Sequence, residues 1–511
     1  MFDWFRRKKE VPPSTRRPLR GRPRGKRIIT SLGTFTNDMD ETFSVEKRTI
    51  EEIIAGCLTK DRGRMRTLED QNDYAIRWLT EQEENVVGGN GFRFQSAVMR
   101  SNGDFNAPVN KRIEEAWELQ SRAENYTVEG EDSGMDETAA DKLILRSVAR
   151  DGFCFIIPHE GFDNATRFAI QILPGDILDH TICTTWRGNR ISNGVEIDSY
   201  GRVIGYHVYT ERGGNNSIDG KHMRIDAANA IFPYVRTYPG QYVGLPWARN
   251  VMPTLHGLDK FEEYVLITAR EGACKGVFYE QSEENPIGDL VEEDFDQEVY
   301  PGVNTLLPPG VKVNSHDPSQ PQDTYGDYRK GVLMRAASGL GMSYQSLSGD
   351  LSGGNFASQR VGLLDEREIW KGRQTWFCNS VKCRIYKRWL RAARVMLTGL
   401  PESITLDAMN KPVFRGRRWS WVDPQKDLQA ATIGVEQGFI SREKVIADSD
   451  SDTDEEGVLR AIKRGKDLEA ELGLSLGTPQ QAPPQEEPPP EETEEEDTAD
   501  EQPEENKVVN I

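Results

Sequence analysis

The stretch Ala336–Arg360, AASGLGMSYQSLSGDLSGGNFASQR, joins two helix-compatible segments through a polar loop. Ser348, Gly349, Ser352, Gly353, Gly354 and Asn355 crowd around Asp350 and Leu351, with Phe356 closing the run. Serine, glycine and asparagine at that density favour turns, so no packed element is expected there. Loops this long between helices are usually functional or disordered.

The flanks are helical in pattern. Residues 323–340 carry Tyr325, Tyr328, Leu333 and Ala336 at helical spacing. Residues 358–398 form the longest helix expected, with Val361, Leu364, Trp370, Phe377, Val381, Ile385, Trp389 and Met396 on one face. Between 367 and 394 there are nine Lys or Arg and one acid, Glu368. Two readings stand side by side: a solvated amphipathic helix, the commoner fate of such a pattern, and a face for nucleic acid or an acidic partner. Under the second, Arg360, Arg367, Lys371, Arg373 and Lys382 are the candidate phosphate-facing residues.

Composition bounds the remainder. The 511 residues are 36% hydrophobic and 29% charged, as expected of a polar, soluble chain of up to about three domains. No apolar run approaches the roughly 18 residues of a membrane helix. The basic N-terminus lacks the apolar stretch of a secretory signal. Six cysteines lie far apart without a C-x-x-C pair, and the six histidines are scattered. Zinc sites need closely spaced ligands, so free buried thiols are expected and no metal. The net charge of −19 is uneven: residues 1–27 carry +9, residues 481–511 carry −11, and those between carry −17. An acidic average speaks against a protein that coats nucleic acid tightly.

Along the chain, residues 1–27 read as a basic disordered tail and residues 476–511 as an acidic Pro/Glu-rich one. Residues 47–84, 107–124 and 136–150 read as helices. Short β-prone runs follow at 153–157, 168–173, 194–197, 203–209 and 230–235, with a hairpin connection at Ser199–Arg202. Residues 246–275 form a long amphipathic helix opened by Pro246, and 276–320 a small insert with a strand at 303–307. Helices near 425–437, from Ser441, and at 454–472 complete the chain. The fold class is α+β.

Three patterns imitate active sites. Gly214–Lys221 has one residue too many for a P-loop, and His222 replaces the magnesium-binding hydroxyl. Asp448–Asp454 lacks the glycine of a calcium loop. The glycine-rich run Asn85–Gly91 follows a helix, where a helix-ending turn is the better reading. No nucleophile-elbow context is present. No catalytic residue and no cofactor site is assigned.

The order of these pieces resembles the lambda-type family of tailed-phage portal proteins. The likeness runs through Asn72-Asp-Tyr-Ala75, Asn85-Val-Val-Gly88, Gly194-Val-Glu-Ile-Asp198, Tyr238-Pro-Gly-Gln241, Pro308-Pro-Gly310, Gly349-Asp-Leu-Ser352, Asn355–Arg360 and Trp421-Val-Asp-Pro424. Phe356-Ala357 departs from a common Tyr-Ser, and Asp151-Gly152 from a common Gly-Glu. The resemblance implies a portal fold: an α/β wing at 28–245, stem helices at 246–275 and 319–340, a clip at 276–318, a tunnel loop at 341–357, a long wing helix with its flank at 358–420, and a helical crown at 421–475. It further implies a ring of about twelve subunits at one capsid vertex, through which double-stranded DNA is packaged and ejected. The partners implied are non-specific duplex DNA, the terminase large subunit, major capsid and scaffold proteins, and head-completion or adaptor proteins. The location implied is the virion, with assembly in the host cytoplasm. Tunnel-loop residues 348–356 would face the DNA. A metal-dependent nuclease or packaging enzyme and a scaffold protein without a pore are the competing readings.

Overall fold

The computed structural model describes residues 49–100, 102–209, 222–274, 277–281, 311–315, 322–352, 356–394, 397, 404–419, 424–448 and 455–472. The chain divides into two compact units, Met1–Arg418 and Trp419–Ile511.

Helix α1 (Ile50–Gln71) starts at a capping box, Thr49 with Glu52. The helix expected over 47–84 is broken at Asn72, whose extended backbone ends α1 and whose side chain caps α2 (Asp73–Gln82). Asn72 Oδ1 accepts from Ala75 N at 2.8 Å, and Nδ2 donates to Asp259 at 2.6 Å. A π turn, Glu83–Val87, then ends the helix, and Gly88 at φ +83° turns the chain as the sequence predicts.

Strand β1 (Arg93–Ser96) precedes helices α3 (Ala107–Ser121), α4 (Ala123–Tyr126) and α5 (Glu137–Asp151). Helix α5 packs on α1 and α2. Arg146 bridges Glu69 at 2.7 Å and Glu83 at 2.8 Å, and Arg66 bridges Asp151 and Asp176 at 2.8 Å each. Gly152, at φ +93°, ends α5 against Gly244; a Cβ on Gly244 would sit 2.1 Å from the Gly152 carbonyl oxygen, so both positions require glycine.

Strands β2 (Cys154–Glu160) and β3 (Phe168–Pro174) form an antiparallel hairpin. Strands β4 (Thr184–Trp186), β5 (Asn189–Ser192), β6 (Val195–Ile197), β7 (Val203–Tyr209) and β8 (His222–Asp226) form an antiparallel sheet in sequential order. The strand expected at 230–235 is reduced to isolated bridges, Ile231 to Ile156 and Tyr234 to Phe153. Pro233 lies between them and has no N–H for a ladder.

Helix α6 (Met252–Cys274) begins later than expected: residues 246–251 form turns, and Pro253 occupies the first turn. Strands β9 (Val277–Gln281) and β10 (Val311–Ser315) pair antiparallel between α6 and α7 (Gln322–Leu340). The strand expected at 303–307 lies outside the described residues. Then come α8 (Tyr344–Ser348), α9 (Phe356–Phe377), a π turn at Cys378–Lys382, and α10 (Cys383–Ala393). Helix α11 (Leu406–Met409) leads to β11 (Pro412–Arg415), which pairs with β1.

Helix α1 serves two cores. Its Ile54 and Leu58 meet Phe155, Val195, Val208 and Phe232 of the β region. Its Met65 and Leu68 meet Trp78 and Leu79 of α2, Leu255 and Leu258 of α6, and Leu333 and Leu340 of α7. In the second unit, α12 (Pro424–Glu436) ends at Gly438, Ser441 caps α13 (Arg442–Asp448), and α14 (Glu455–Leu472) follows.

The P-loop-like run falls almost wholly outside the described residues, as do 449–454 of the calcium-like run. Among the described residues no cluster could hold a metal ion, and no helix is long and apolar enough to cross a membrane. Cys57, Cys154, Cys183, Cys378 and Cys383 are free thiols. Cys57 and Cys154 are buried as expected, whereas Cys183 is exposed.

Candidate nucleic-acid interface

The loop after α7 is rooted in a hydrogen-bonded turn. Gly341, at φ +70°, ends α7, and the Ser343 hydroxyl caps α8 by accepting from Ser346 N at 3.1 Å. Just before the Ser/Gly/Asn-rich run, and within the span 341–357, α8 forms, and its Leu347 is fully buried. Met342 and Leu347 both reach the core, with Tyr344 packed against it, and these contacts hold the segment to the fold.

Glu366 of α9 is buried and receives both the Ser343 backbone N–H and the Ser346 hydroxyl, the latter at 2.9 Å. Arg77 of α2 donates to the Ser346 carbonyl. The start of α8 is thus held between α2 and α9. Its end is closed by Gly349 at φ +72°, whose N–H reaches Gln345 O at 2.8 Å.

Asp350 organises the next residues. One carboxylate oxygen accepts from Ser352 N at 2.9 Å and from the Ser352 hydroxyl; the other accepts from the Tyr344 hydroxyl at 3.0 Å. These bonds, led by the Ser352 hydroxyl, hold the Asp350 carboxyl below its usual range. Leu351 stands 70% exposed on this frame. Gly353, Gly354 and Asn355 lie outside the described residues, and Phe356 opens α9.

The five basic candidates separate. Arg360 and Arg367 are half-buried on α9. Lys371 is exposed and pairs with Glu368 at 2.6 Å. Arg373 lies over the Trp247 ring, 5.1 Å from its centroid, and donates to Gln82; burial lowers its guanidinium to about 10. Lys382 is fully buried, held by Glu137 and by Asp141 at 2.7 Å. Lys382, its ammonium enclosed, has no charge to present to a phosphate, which corrects the sequence expectation for that residue; Arg373 is half-buried. In the sequence the π turn at Cys378–Lys382 is invisible, and it shifts the phase of everything after it.

The exposed positive charge lies further along. On α10, Ile385, Tyr386, Trp389 and Leu390 are buried, while Arg384, Lys387 and Arg391 face out. The sequence expectation does not include these three, although their three- and four-residue spacing opposite an apolar stripe is legible in the sequence.

A family model described as phage portal protein, lambda family, matches residues 36–374. The chain belongs to the lambda family of phage portal proteins. Among its relatives, a probable portal protein of Halomonas phage phiHAP-1 is 30% identical over 389 residues, 73% of this chain and 74% of that one. The portal protein of Escherichia phage N15 is 24% identical over 161 residues, 29% of each chain. Portal protein B of Escherichia phage lambda is 23% identical over 161 residues, again 29% of each. A solved chain from the neck of an empty gene transfer agent particle, computed with C6 symmetry, covers 76% of this chain and 92% of its own length, with 13% identity and a TM-score of 0.43. This portal family member is accordingly a structural protein of the phage head-tail connector class.

Proposed function

We propose that this chain closes into a ring of about twelve copies at one capsid vertex, and that double-stranded DNA passes through that ring during packaging and ejection. Family membership over residues 36–374 is the observation that carries the reading. Two features support it physically. Helices α6 and α7 bury Leu255, Leu258, Leu333 and Leu340 together yet leave Tyr264, Leu266, Ile267 and Met334 exposed, an apolar face that a neighbouring copy would cover. The loop at 348–356 is fixed at its root by Glu366 and Asp350, so its tip would be presented from a firm base.

In this reading residues 28–245 are mostly wing, α6 and α7 the stem, 276–318 the clip, 341–357 the tunnel loop, 358–420 the long wing helix with its flank, and 421–475 the crown. The clip would receive the terminase large subunit and later the head-completion proteins, and the wing would meet capsid and scaffold proteins. The chain has no turnover of its own. DNA is met as a charged cylinder without base readout, so contacts are few, weak and exchangeable.

The test is mass measurement with particle averaging of the purified protein. Rings with an axial hole wide enough for a duplex are expected; filaments, shells or a lone subunit at every concentration overturn the reading. Incubation with plasmid, magnesium and ATP is expected to leave the DNA and the nucleotide intact.

A further inference from the structure

A pocket of about 470 Å³ opens between the β6–β7 hairpin, the segment 227–236 and the start of α10. Its floor is the nearly buried rings of Tyr206 and Phe232. Three arginines line it, Arg202, Arg236 and Arg384, with Ser380 beside them and, among the described residues, no carboxylate in the lining. In a chain whose net charge is −19, three guanidinium groups converging on one concavity need an explanation.

The internal partners do not supply it in full. Arg202 pairs with Asp198 at 2.8 Å, an exposed pair of the kind that holds its partner weakly. Arg236 lies against Tyr242 and donates to the Tyr234 hydroxyl at 3.1 Å, which positions the guanidinium without neutralising it. Arg384 is exposed, and among the described residues no carboxylate stands within ion-pair distance of it. The π turn at Cys378–Lys382 produces this arrangement: it sends Val381 and Lys382 into the core while Ser380 and Arg384 reach the pocket. The same side of α10 continues with Arg388 and Arg391, which already flank the Glu160 carboxylate at 4.0 and 3.9 Å.

We propose that this pocket docks an acidic peptide segment of a partner protein, a carboxylate side chain entering between Arg236 and Arg384 while its stem or an apolar neighbour rests on Tyr206 and Phe232. Guanidinium groups bind carboxylates through planar, paired hydrogen bonds, and aromatic walls suit the methylene stem of such a side chain. A duplex is a convex cylinder and cannot enter a concavity with this floor, so the geometry favours peptide over nucleic acid. The inference does not rest on the DNA-conducting reading, since no lining residue belongs to the stem or the loop.

The experiment uses the full chain and two fluorescent probes, a glutamate oligopeptide with an interspersed leucine and a short mixed-sequence DNA duplex, read by anisotropy. The peptide is expected to bind more tightly than the duplex. Arg384→Glu is expected to weaken the peptide at least about tenfold, whereas Lys111→Glu, an equal change of charge on exposed α3, is expected to leave it within about twofold. Melting temperature and particle mass are measured on both variants, so loss of folding or of rings is seen separately. Equal weakening by the two variants would reduce the effect to net charge and overturn the pocket. So would tighter binding of the duplex that is lost in Arg384→Glu, which would make this face a nucleic-acid surface.

Discussion

Lys382 is the residue whose environment most changes its meaning. Read along the chain it is one of nine positive charges in a row. In the fold its ammonium sits among Glu137, Asp141 and Tyr126, with the Trp117 and Phe414 rings around it. Burial raises the Asp141 carboxyl to about 7, against the opposing pull of Lys382. Removing the ammonium leaves two buried carboxylates without their counter-ion. Lys382→Met is therefore expected to cost about 3–5 kcal/mol at neutral pH, measured by urea unfolding. Asp141 also sets a pH dependence. Its folded carboxyl takes up a proton at a higher pH than the ordinary value of 3.8, so between about pH 4 and 7 the folded state holds more protons. The contribution of Asp141 is full below about pH 4 and is lost as pH rises through about 7. Asp141→Asn is expected to flatten this fall, and an unchanged slope in unfolding experiments from pH 4 to 8 would show that another group carries it. None of this was legible in sequence, because the partners lie 241 to 256 residues away.

At the scale of elements, the sequence pattern located most helices and strands, and the errors have particular causes. The helix over 47–84 reads as continuous because its apolar positions keep their spacing across Asn72. What breaks it is a side chain acting as a cap while bonding Asp259 of a distant helix. Asn72→Ala is expected to cost about 1–2 kcal/mol by losing the cap, with faster amide exchange at Ala75 than at mid-helix positions of α1. Between α7 and α9, Gly341, Gly349 and Asp350 punctuate the chain as their chemistry suggests. Helix α8 is not legible in the sequence, because a buried leucine and a distant carboxylate, Glu366, sustain it. Glu366→Ala is expected to destabilise the α8 turn by about 1–3 kcal/mol, since it leaves the Ser343 N–H unpartnered and takes away the acceptor of the Ser346 hydroxyl. Hydrogen exchange should then quicken over 343–349 while α5 stays protected; equal quickening in both would place Glu366 in the global core instead. Deleting Ser352–Asn355 keeps the α8 turn and its bonds to Glu366 while removing the Ser352 bonds to Asp350. It is expected to leave ring assembly intact and to impair retention of packaged DNA, checked by particle imaging and a nuclease-protection assay.

For the whole molecule, the order of segments was the legible signal, and the family match confirms what that order implied about kinship. How copies meet is written only in the surface. Helices α6 and α7 spend their opposed faces on each other, with Phe261 stacked against Tyr325 and tilted against Tyr328. Their outer faces carry Tyr264 at 65% exposure and Leu266 at 52%, with Ile267 and Met334 beside them. Scattered apolar residues on a surface are ordinary, but Leu266 and Ile267, with Tyr264 three residues before Ile267, leave an interrupted apolar patch on the outer half of α6, beside the Lys260–Glu263 pair. A head-to-tail contact would bury that patch against a different face of the next copy, and rotation would close the ring. Replacing Leu266 and Ile267 together with Asp places two charges in that contact while touching nothing in the monomer core. The double variant is expected to remain a single subunit by light scattering at concentrations where the natural chain forms rings. Its melting should match that of the natural chain brought to the single-subunit state by dilution. Rings of unchanged mass from the double variant would mean that α6 faces solvent in the assembly and that another surface joins the copies.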